Sequence, residues 1–430
     1  MTPRGQPPFN VELMTTLLLY GYSVGVFSSR KMAAACERNL AFLAIVGKDR
    51  PDFRTLSDFR KHHQAAMKPL FLEVLRVAGE LGLVKLGNLS TDGTKIEANA
   101  SRHKAMSYGY LTKDLERLQA EIDKLLANAE RVDAEQDAAL GSRRGDELPA
   151  ELQRREERIA KIQAAKARLE TERFVPPAVT AQARAAAEQR ERDAATAQRE
   201  AEGKPRKGKL PAPIDPTPED KAQTNFTDPE AKIMKRSNKG FDYCYNAQAV
   251  VDSEHQIIVA ADPAGRVPAT AAANDKQQAV PLARAAALNL AAAGLERPRD
   301  AQGQSQPIPN TADSGYFSEA NVRDVTALGL DPYYATGRQK HHAPEAELSA
   351  SEARSESSKE ALARKLRTEV GRQLYAARKH IVEPVFGQIK RVRGFRKFLL
   401  RGLELVSAEW QLICLTHNLL KIWRFATSPH

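Results

Sequence analysis

Residues 241–261, FDYCYNAQAVVDSEHQIIVAA, predict the β-hairpin on which the rest of the fold is built. The segments Phe241–Val251 and Gln256–Ala261 are rich in aromatic and β-branched residues, which favour strands. A polar stretch of four residues, from Asp252 to His255, separates them and forms the turn. The segment therefore predicts two antiparallel strands.

A third strand is predicted over residues 83–100, and we expect it to pair with the hairpin in an antiparallel sheet. It contains Asp92, and because aspartate is disfavoured inside strands, this residue lies at a strand end or serves a function. Beyond the hairpin the sequence predicts a helix over 275–290, a strand over 307–312 ending at Asp313, a helix beginning at Ser318, a strand over 333–336 and a basic helix from residue 375.

This order of elements predicts an α/β chain with a ribonuclease-H-like mixed sheet and flanking helices. In that fold the first strand and its neighbour, the fourth strand, each present an acidic residue, and a later helix presents a third. The corresponding residues are Asp92, Asp313 and Glu383. Asp275 and Glu97 are alternatives, but Asp275 starts a helix and suits an N-cap, and Glu97 lies five residues after Asp92 and faces the other side of a regular strand.

The domain organisation is predicted from changes in the spacing of apolar residues and in amino-acid composition along the chain. We predict a helical N-terminal DNA-binding or dimerisation domain over 1–85, the first part of the catalytic domain over 86–109, an inserted coiled-coil hairpin with a mobile linker over 110–224, and the remainder of the catalytic domain with C-terminal helices over 225–430. The insertion carries leucines at steps of three and four. Its end lacks large apolar residues, so it cannot bury a core. DNA reading and dimerisation are equally favoured for the N-terminal helices.

The charge balance favours a polyanionic partner. Lys and Arg number 65 against 54 Asp and Glu, which gives a formal charge of +11 over 430 residues. The three cysteines are widely spaced and include no C-x-x-C pair, so they indicate neither a zinc site nor a disulfide framework, and they fit a reducing compartment. No apolar run is long enough to span a bilayer, and no signal peptide begins the chain. The sequence predicts a cytoplasmic protein with no membrane partner.

The segment Tyr375–Arg401 carries one acidic residue, Glu383, among many basic ones. One interpretation is a solvated basic helix with an incidental glutamate. The other is a carboxylate that holds a divalent cation while its basic neighbours hold a nucleic acid. The residues predicted to contact DNA are Tyr375, Arg378, Lys379, Lys390, Arg391, Arg393, Arg396 and Lys397. Phosphodiester chemistry is well served by two divalent cations about 3.5–4 Å apart, and Mg²⁺ prefers oxygen ligands.

Several motifs carry a resemblance to a known family. They include SSRKMA at 28–33, STDGTKIEANASRHKAMSYG at 90–109, NFTDPEAKIMK at 225–235, YNAQAVVD at 245–252, ADSGYFSEAN at 312–321 and VEPVFGQIK at 382–390. The chain resembles DDE transposases of bacterial insertion sequences, in particular the group numbered eleven eighty-two. The resemblance implies a catalytic and metal-binding triad of Asp92, Asp313 and Glu383.

The same resemblance implies two Mg²⁺ ions, for which Mn²⁺ can substitute, and double-stranded DNA as the partner. It implies binding of inverted-repeat ends, their cleavage by phosphodiester hydrolysis and transfer of the 3′ ends to target DNA. A homodimer on DNA and a nucleoid-associated, cytoplasmic location follow as expectations. A non-catalytic DNA-binding repressor derived from a transposase is the alternative.

Transposases of this class often carry a tyrosine, an arginine, the catalytic glutamate and a lysine on one helix, and Tyr375, Arg378, Glu383 and Lys390 match in order. Lys379 stands at the usual distance before the glutamate, so it is a second candidate for the arginine's position. Lys390 follows Glu383 by two helical turns, which places it on the same face, and we expect it to contact a phosphate near the cleaved end.

Overall fold

The computed structural model of the chain describes residues 9–101, 103–140, 150–172, 220–236, 240–261, 275–337 and 358–428, together with five isolated residues between 189 and 197. The chain divides into two units. One comprises residues 1–100 and 230–430, and the other comprises residues 101–229.

The strands are β1 (Leu89–Glu97), β2 (Ala105–Ser107), β3 (Gln223–Asn225), β4 (Lys232–Lys235), β5 (Phe241–Asp252), β6 (Ile258–Ala260), β7 (Ile308–Ala312) and β8 (Leu330–Tyr334). The helices are α1 (Val11–Ser23), α2 (Ser29–Arg38), α3 (Leu40–Val46), α4 (Phe53–His62), α5 (Met67–Glu80), α6 (Tyr108–Leu140), α7 (Ala150–Glu172), α8 (Ala279–Ala292), α9 (Glu319–Ala327), α10 (Ser358–Lys365), α11 (Glu369–Gly387) and α12 (Leu403–Thr427).

A mixed sheet of six strands lies at the centre of the first unit. Its order is β4-β5-β1-β7-β8, and β6 also pairs with β5. β1 is antiparallel to β5 and parallel to β7, and β8 is parallel to β7. The prediction of a mixed α/β sheet is confirmed, and the arrangement is consistent with a ribonuclease-H-like DDE domain.

The core forms where helices cover the sheet. Most of β5 is buried, and the middle of α12, from Glu409 to Asn418, is buried as well. Trp410 is fully buried, and its Nε1 donates to the Gln248 carbonyl on β5 at 2.8 Å. Trp423, in contrast, is 62% exposed because it lies in the last turns of α12, beyond the buried segment.

The helices α1 to α5 lie in the same unit as the sheet, and α1 and α5 pack against α12. A buried polar network joins them. The Tyr22 hydroxyl donates to Glu409 at 2.9 Å and accepts from Arg60 at 2.6 Å. Glu409 also accepts from the backbone N–H groups of Leu399 and Leu400. A charged carboxylate is stable in the interior only with such partners, so this network fixes the N-terminal helices to the chain after α11.

In the second unit, α6 and α7 pack together through a cluster formed by Leu111, Leu118, Ile162, Ala165 and Leu169. Asp114 of α6 is paired with Arg117 and, at 3.1 Å, with Arg158 of α7. The short strands β2 and β3 pair antiparallel. Most of the segment predicted as a mobile linker lies outside the described residues.

Some boundaries differ from the sequence predictions for physical reasons. The first strand covers Leu89–Glu97 and not the whole of 83–100, because Leu86 adopts a left-handed conformation with a φ of 57° just before it. The last strand begins at Leu330, before its predicted start. Pro332 argues against a strand there, yet β8 lies at the edge of the sheet, where a missing N–H is tolerated. No helix in the described part of the chain combines the length and the apolar character needed to cross a bilayer.

The Gly25→Ala variant tests the close approach between the N-terminal helices and the segment after α11. Gly25 has a φ of +82°, and a Cβ there would lie 2.7 Å from the Arg393 carbonyl oxygen. Backbone strain and steric conflict should together lower the free energy of unfolding by about 3 kcal/mol. Gly294→Ala is the matched control, since its φ is +71° with nothing within 4 Å of the added Cβ, and it should cost about 1 kcal/mol. Equal losses in denaturant titrations would show that the contact is unimportant.

Candidate active site

The two aspartates of the predicted triad lie on neighbouring parallel strands. Asp92 is in the middle of β1, and Asp313 is the first residue after β7, where the backbone stays extended. The register pairs Ser90 with Thr311. Two residues further along both strands, Asp92 and Asp313 therefore face each other across the pair.

The pKa of Asp92 is raised to about 6, chiefly because the carboxyl is buried. The Gly93 N–H, which donates to Oδ1 at 2.7 Å, and the Arg378 charge act in the opposite direction. Asp313 and Asp275 raise the pKa further because their negative charges oppose a third one. The ionised cluster is therefore unfavourable without added positive charge.

Asp275 is a third carboxylate of this cluster, and it lies at the start of a short 3₁₀ helix, Asp275–Gln278. Its Oδ1 accepts from Asn246 Nδ2 at 2.7 Å and from Gln248 Nε2 at 2.9 Å. The expected N-cap role is thus replaced by contacts with the sheet. Asn246 and Gln248 stand two residues apart on β5 and so share a face of the sheet. This spacing is the one feature of the sequence that bears on the contact with Asp275.

Gly315 lies against both Asp313 and Asp275. A Cβ at this position would be 3.0 Å from Asp313 Oδ1 and 3.4 Å from Asp275 Oδ2, so the two carboxylates approach one another around this glycine. Tyr316, the next residue, is fully buried and donates its hydroxyl to Gln248. Burial first, and then the charges of the three aspartates, raise the pKa of this tyrosine far above its ordinary value. Its hydroxyl therefore stays protonated and acts as a fixed donor.

Arg378 of α11 provides the positive charge nearest to Asp92. Its Nη1 donates to Asp92 Oδ2 at 3.1 Å, and its side chain is only 10% exposed. The guanidinium also lies 5.8 Å from the ring centre of Tyr375, at cation–π distance. Its Nε has no hydrogen-bond partner in the described structure. Arg378 therefore holds Asp92 in place and keeps one buried donor unused.

α11 runs alongside β1, and the alignment of the two elements determines which residue of β1 Glu383 lies opposite. Three hydrogen bonds fix the alignment, from Asn88 Nδ2 to the Leu374 carbonyl at 3.4 Å, from Ser90 Oγ to the Arg378 carbonyl at 3.3 Å and from Lys390 Nζ to the Lys95 carbonyl at 2.8 Å. From Ser90 to Asp92 the strand advances about 6.6 Å, and from Arg378 to Glu383 the helix advances about 7.5 Å. Glu383 is therefore level with Asp92 along the helix axis.

The side chain of Glu383 is exposed, and among the described residues it forms no hydrogen bond or ion pair with Asp92 or Asp313. Within the same part of the chain, no group of three or more His, Cys, Asp or Glu side chains is arranged to hold a metal ion. The structure thus brings together Asp92, Asp313 and Asp275, and it leaves Glu383 at the same level on the neighbouring helix.

Glu97, the other alternative, is engaged elsewhere. It pairs with Lys397 at 2.9 Å and with Arg236 at 3.2 Å. Burial opposes its ionisation, but these two cations outweigh burial and lower its pKa. Glu97 therefore stabilises the contact between β1 and the segment after α11.

The predicted DNA contacts fall into three groups by exposure. Lys379, Arg391, Arg396 and Lys397 are exposed, Tyr375 and Lys390 are half-buried, and Arg378 and Arg393 are buried. Lys390 lies beside Lys95 of β1, and burial, with a smaller effect of the Arg236 charge, lowers its pKa to about 8. The exposed set forms a basic surface on α11 and the segment that follows it.

Arg393 differs from its neighbours because its guanidinium is part of the core. It donates to the Tyr22 carbonyl at 2.8 Å, to the Ile413 carbonyl at 3.0 Å and to the Thr416 hydroxyl. A side chain held in this way has no donor left at the surface. We therefore correct the prediction that Arg393 contacts DNA, and the basic run in the sequence gave no sign of this exception.

Comparisons with known proteins bear on both ends of the chain. Residues 338–423 match the family model described as "Transposase DDE domain", and residues 1–62 match the one described as "Transposase domain (DUF772)". Both matches support a bacterial insertion-sequence transposase. The first match contains Glu383 and the basic surface, whereas Asp92 and Asp313 lie outside both. No curated protein and no solved structure gave a significant match.

The charge coupling of the cluster predicts a measurable titration. In the metal-free chain, Asp92 should titrate near pH 6, and its pKa should fall in the Asp313→Asn and Asp275→Asn variants because each removes a neighbouring negative charge. Carboxyl carbon NMR of aspartate-labelled protein measures this, with Asp92→Asn identifying the resonance. Asp331→Asn, on the distant edge strand, is the control and should leave the titration unchanged. An Asp92 pKa that is insensitive to both cluster variants would contradict the coupling.

Proposed function

We propose that the chain is a DDE transposase that binds the inverted-repeat ends of an insertion sequence, cleaves them by metal-dependent phosphodiester hydrolysis and transfers the 3′ ends to target DNA. The observation that carries this proposal is the meeting of Asp92 and Asp313 at adjacent parallel strands, where burial first, and then the charges of Asp313 and Asp275, raise the pKa of Asp92 to about 6. Such crowding is unfavourable in a structural role, whereas a cation site needs it. The two family matches add independent support.

The residues of the cluster fit a hard divalent cation, because every available donor is a carboxylate oxygen. Asp92, Asp313 and Glu383 would hold Mg²⁺ or Mn²⁺. Asp275 is a fourth carboxylate, close enough for its charge to raise the pKa of Asp92. When bound, the cations would offset the repulsion between the carboxylates and stabilise charge at the phosphate.

The other residues of the site position the reacting groups. Arg378 orients the Asp92 carboxylate, while the amides of Asn246 and Gln248 orient Asp275. Lys390 is partly desolvated and lies two helical turns beyond Glu383, which suits a contact to a phosphate near the cleaved end. The exposed cations Lys379, Arg391 and Arg396 suit the neighbouring DNA backbone.

The assembly in this proposal is a homodimer on double-stranded DNA, because two transposon ends must be joined to one target. The location is the nucleoid of a bacterial cytoplasm, and the group numbered eleven eighty-two is the proposed subfamily. A repressor derived from a transposase would need no crowded carboxylates, and no observation on the described residues favours it.

Replacing the triad tests the proposal directly. Asp92→Asn, Asp313→Asn and Glu383→Gln should each lower Mg²⁺-dependent cleavage of end-containing DNA by roughly 10³-fold or more, since residues of a catalytic group act as a unit. Binding of the ends should persist, because the basic surface is intact. Strand nicking of labelled duplex and a gel-shift assay measure the two properties separately.

The matched control is Glu97→Gln, which changes a carboxylate on the same strand that pairs with Lys397 and Arg236 away from the cluster. It should retain cleavage. Normal cleavage by any of the three triad variants would remove that residue from the site. A wild-type chain that binds ends but never cleaves them with Mg²⁺ or Mn²⁺ would favour the repressor.

A further inference from the structure

A second basic site lies in the first unit, apart from the carboxylate cluster. It is a pocket with a volume of about 810 Å³ between α2, α4 and the segment that precedes α12. Its wall includes Arg30, Arg54, Lys61 and Arg401, with Asp58 as the acidic residue. A concave surface whose lining holds five cations, counting Arg60, and one acidic residue favours an anionic ligand.

The charges of this pocket are largely uncompensated. Lys61 is paired with Asp58 at 3.4 Å, and the buried Arg60, which also lines the pocket, is balanced by Glu409 at 3.6 Å. In contrast, none of the three arginines Arg30, Arg54 and Arg401 has a carboxylate within ion-pair distance among the described residues. The pKa of Asp52 is lowered chiefly by the Thr55 N–H and further by the nearby Arg54 charge, but Asp52 forms no ion pair with Arg54. Three arginines without an ion-paired carboxylate repel one another, and an anion would relieve that repulsion.

Phe53 holds two of these arginines in place. The guanidinium of Arg30 lies 4.9 Å from the centre of the Phe53 ring, and that of Arg54 lies 5.3 Å from it. Stacking on a common ring orients both groups without using their N–H donors. Arg401 is fixed in a similar way, because its Nε donates to the Asn99 carbonyl at 2.8 Å. The donors are thus pre-positioned, which lowers the entropy cost of binding.

Neutral donors complete the wall. Ser28 is the N-cap of α2, yet its side chain makes no capping hydrogen bond, and both Ser28 and Ser29 line the pocket. The first N–H groups of α2 therefore lack a side-chain acceptor at this end of the helix. Arginines, serine hydroxyls and free backbone N–H groups together are the donors that proteins use for phosphate.

We propose that this pocket binds a phosphate group of the DNA backbone at a distance from the cleaved bond. This inference rests on the proposed function, since it takes the DNA of that reaction as the source of the phosphate. Asn99, on the pocket wall, follows Asp92 by seven residues along and just beyond β1, which corresponds to roughly 20 Å. A duplex lying along this strand would extend about six base pairs from the cluster to the pocket.

The test uses the full chain and the double variant Arg30→Gln/Arg54→Gln. If both arginines contact phosphates, affinity for labelled duplex should fall roughly 10- to 100-fold at 0.1 M salt, and the slope of log affinity against log salt should become shallower by about 2. The matched control is Arg38→Gln/Arg50→Gln, which removes the same charge from exposed arginines nearby that do not line the pocket. Its affinity and slope should stay close to wild type. Equal losses in both double variants would show a general charge effect and overturn the inference.

Two further arms identify the source of the phosphate and separate this inference from the proposed function. Thermal unfolding with inorganic phosphate at constant ionic strength measures binding of the free ion. A pocket variant that loses this stabilisation but keeps wild-type duplex affinity would show a free-phosphate site and overturn the DNA contact. If the wild-type protein cleaves DNA and the pocket variant binds duplex as tightly as wild type, the pocket inference is rejected and the proposed function stands. If the wild-type protein neither binds nor cleaves DNA, both the pocket inference and the proposed function are rejected. Unchanged melting temperatures of both double variants ensure that the comparison concerns folded protein.

Discussion

The partial burial of neighbouring carboxylates, together with the repulsion between them, is the physical constraint at the centre of this structure. Asp92 and Asp313 meet because β1 and β7 are adjacent and parallel, and Asp275 joins them through the amides of β5. Only one cation of the described structure, Arg378, is ion-paired with any of the three. The fold thus concentrates negative charge at one end of the pair formed by β1 and β7. Because burial disfavours charged carboxylates, their ionisation depends on nearby positive charge.

The scaffold around this site is held by a second set of buried polar groups. Tyr22, Arg60 and Glu409 link the N-terminal helices to α12, and Arg393 connects the same helices to the segment after α11. Through these contacts the helices that carry the arginine pocket and the strand that carries Asp92 belong to one unit. The geometry between the arginine pocket and the carboxylates is therefore determined by packing within one unit.

Local sequence patterns predicted the parts of this architecture that depend on neighbours in the chain. The strand β5, the turn before β6 and the Ser318 cap follow from residues within a few positions. The Ser318 side chain accepts from the Asn321 N–H at 3.1 Å. The position of Asp313 directly after β7 was predictable for the same reason. Contacts between residues that are distant in the sequence could not be predicted in this way. A basic run gives no indication that Arg393 turns inward or that Arg378 pairs with Asp92, and a helix-start pattern conceals the contacts of Asp275 with the sheet.

Asp92 and Asp313 are proposed to form a cation site with Glu383. Anomalous diffraction from crystals of the chain with end-containing DNA and Mn²⁺ would locate the cations. We expect two manganese peaks about 3.5–4 Å apart, bound by carboxylate oxygens of Asp92 and Asp313, with Glu383 bound to one of them. Manganese bound elsewhere, with Asp92 still paired to Arg378 and Glu383 still facing solvent, would contradict it.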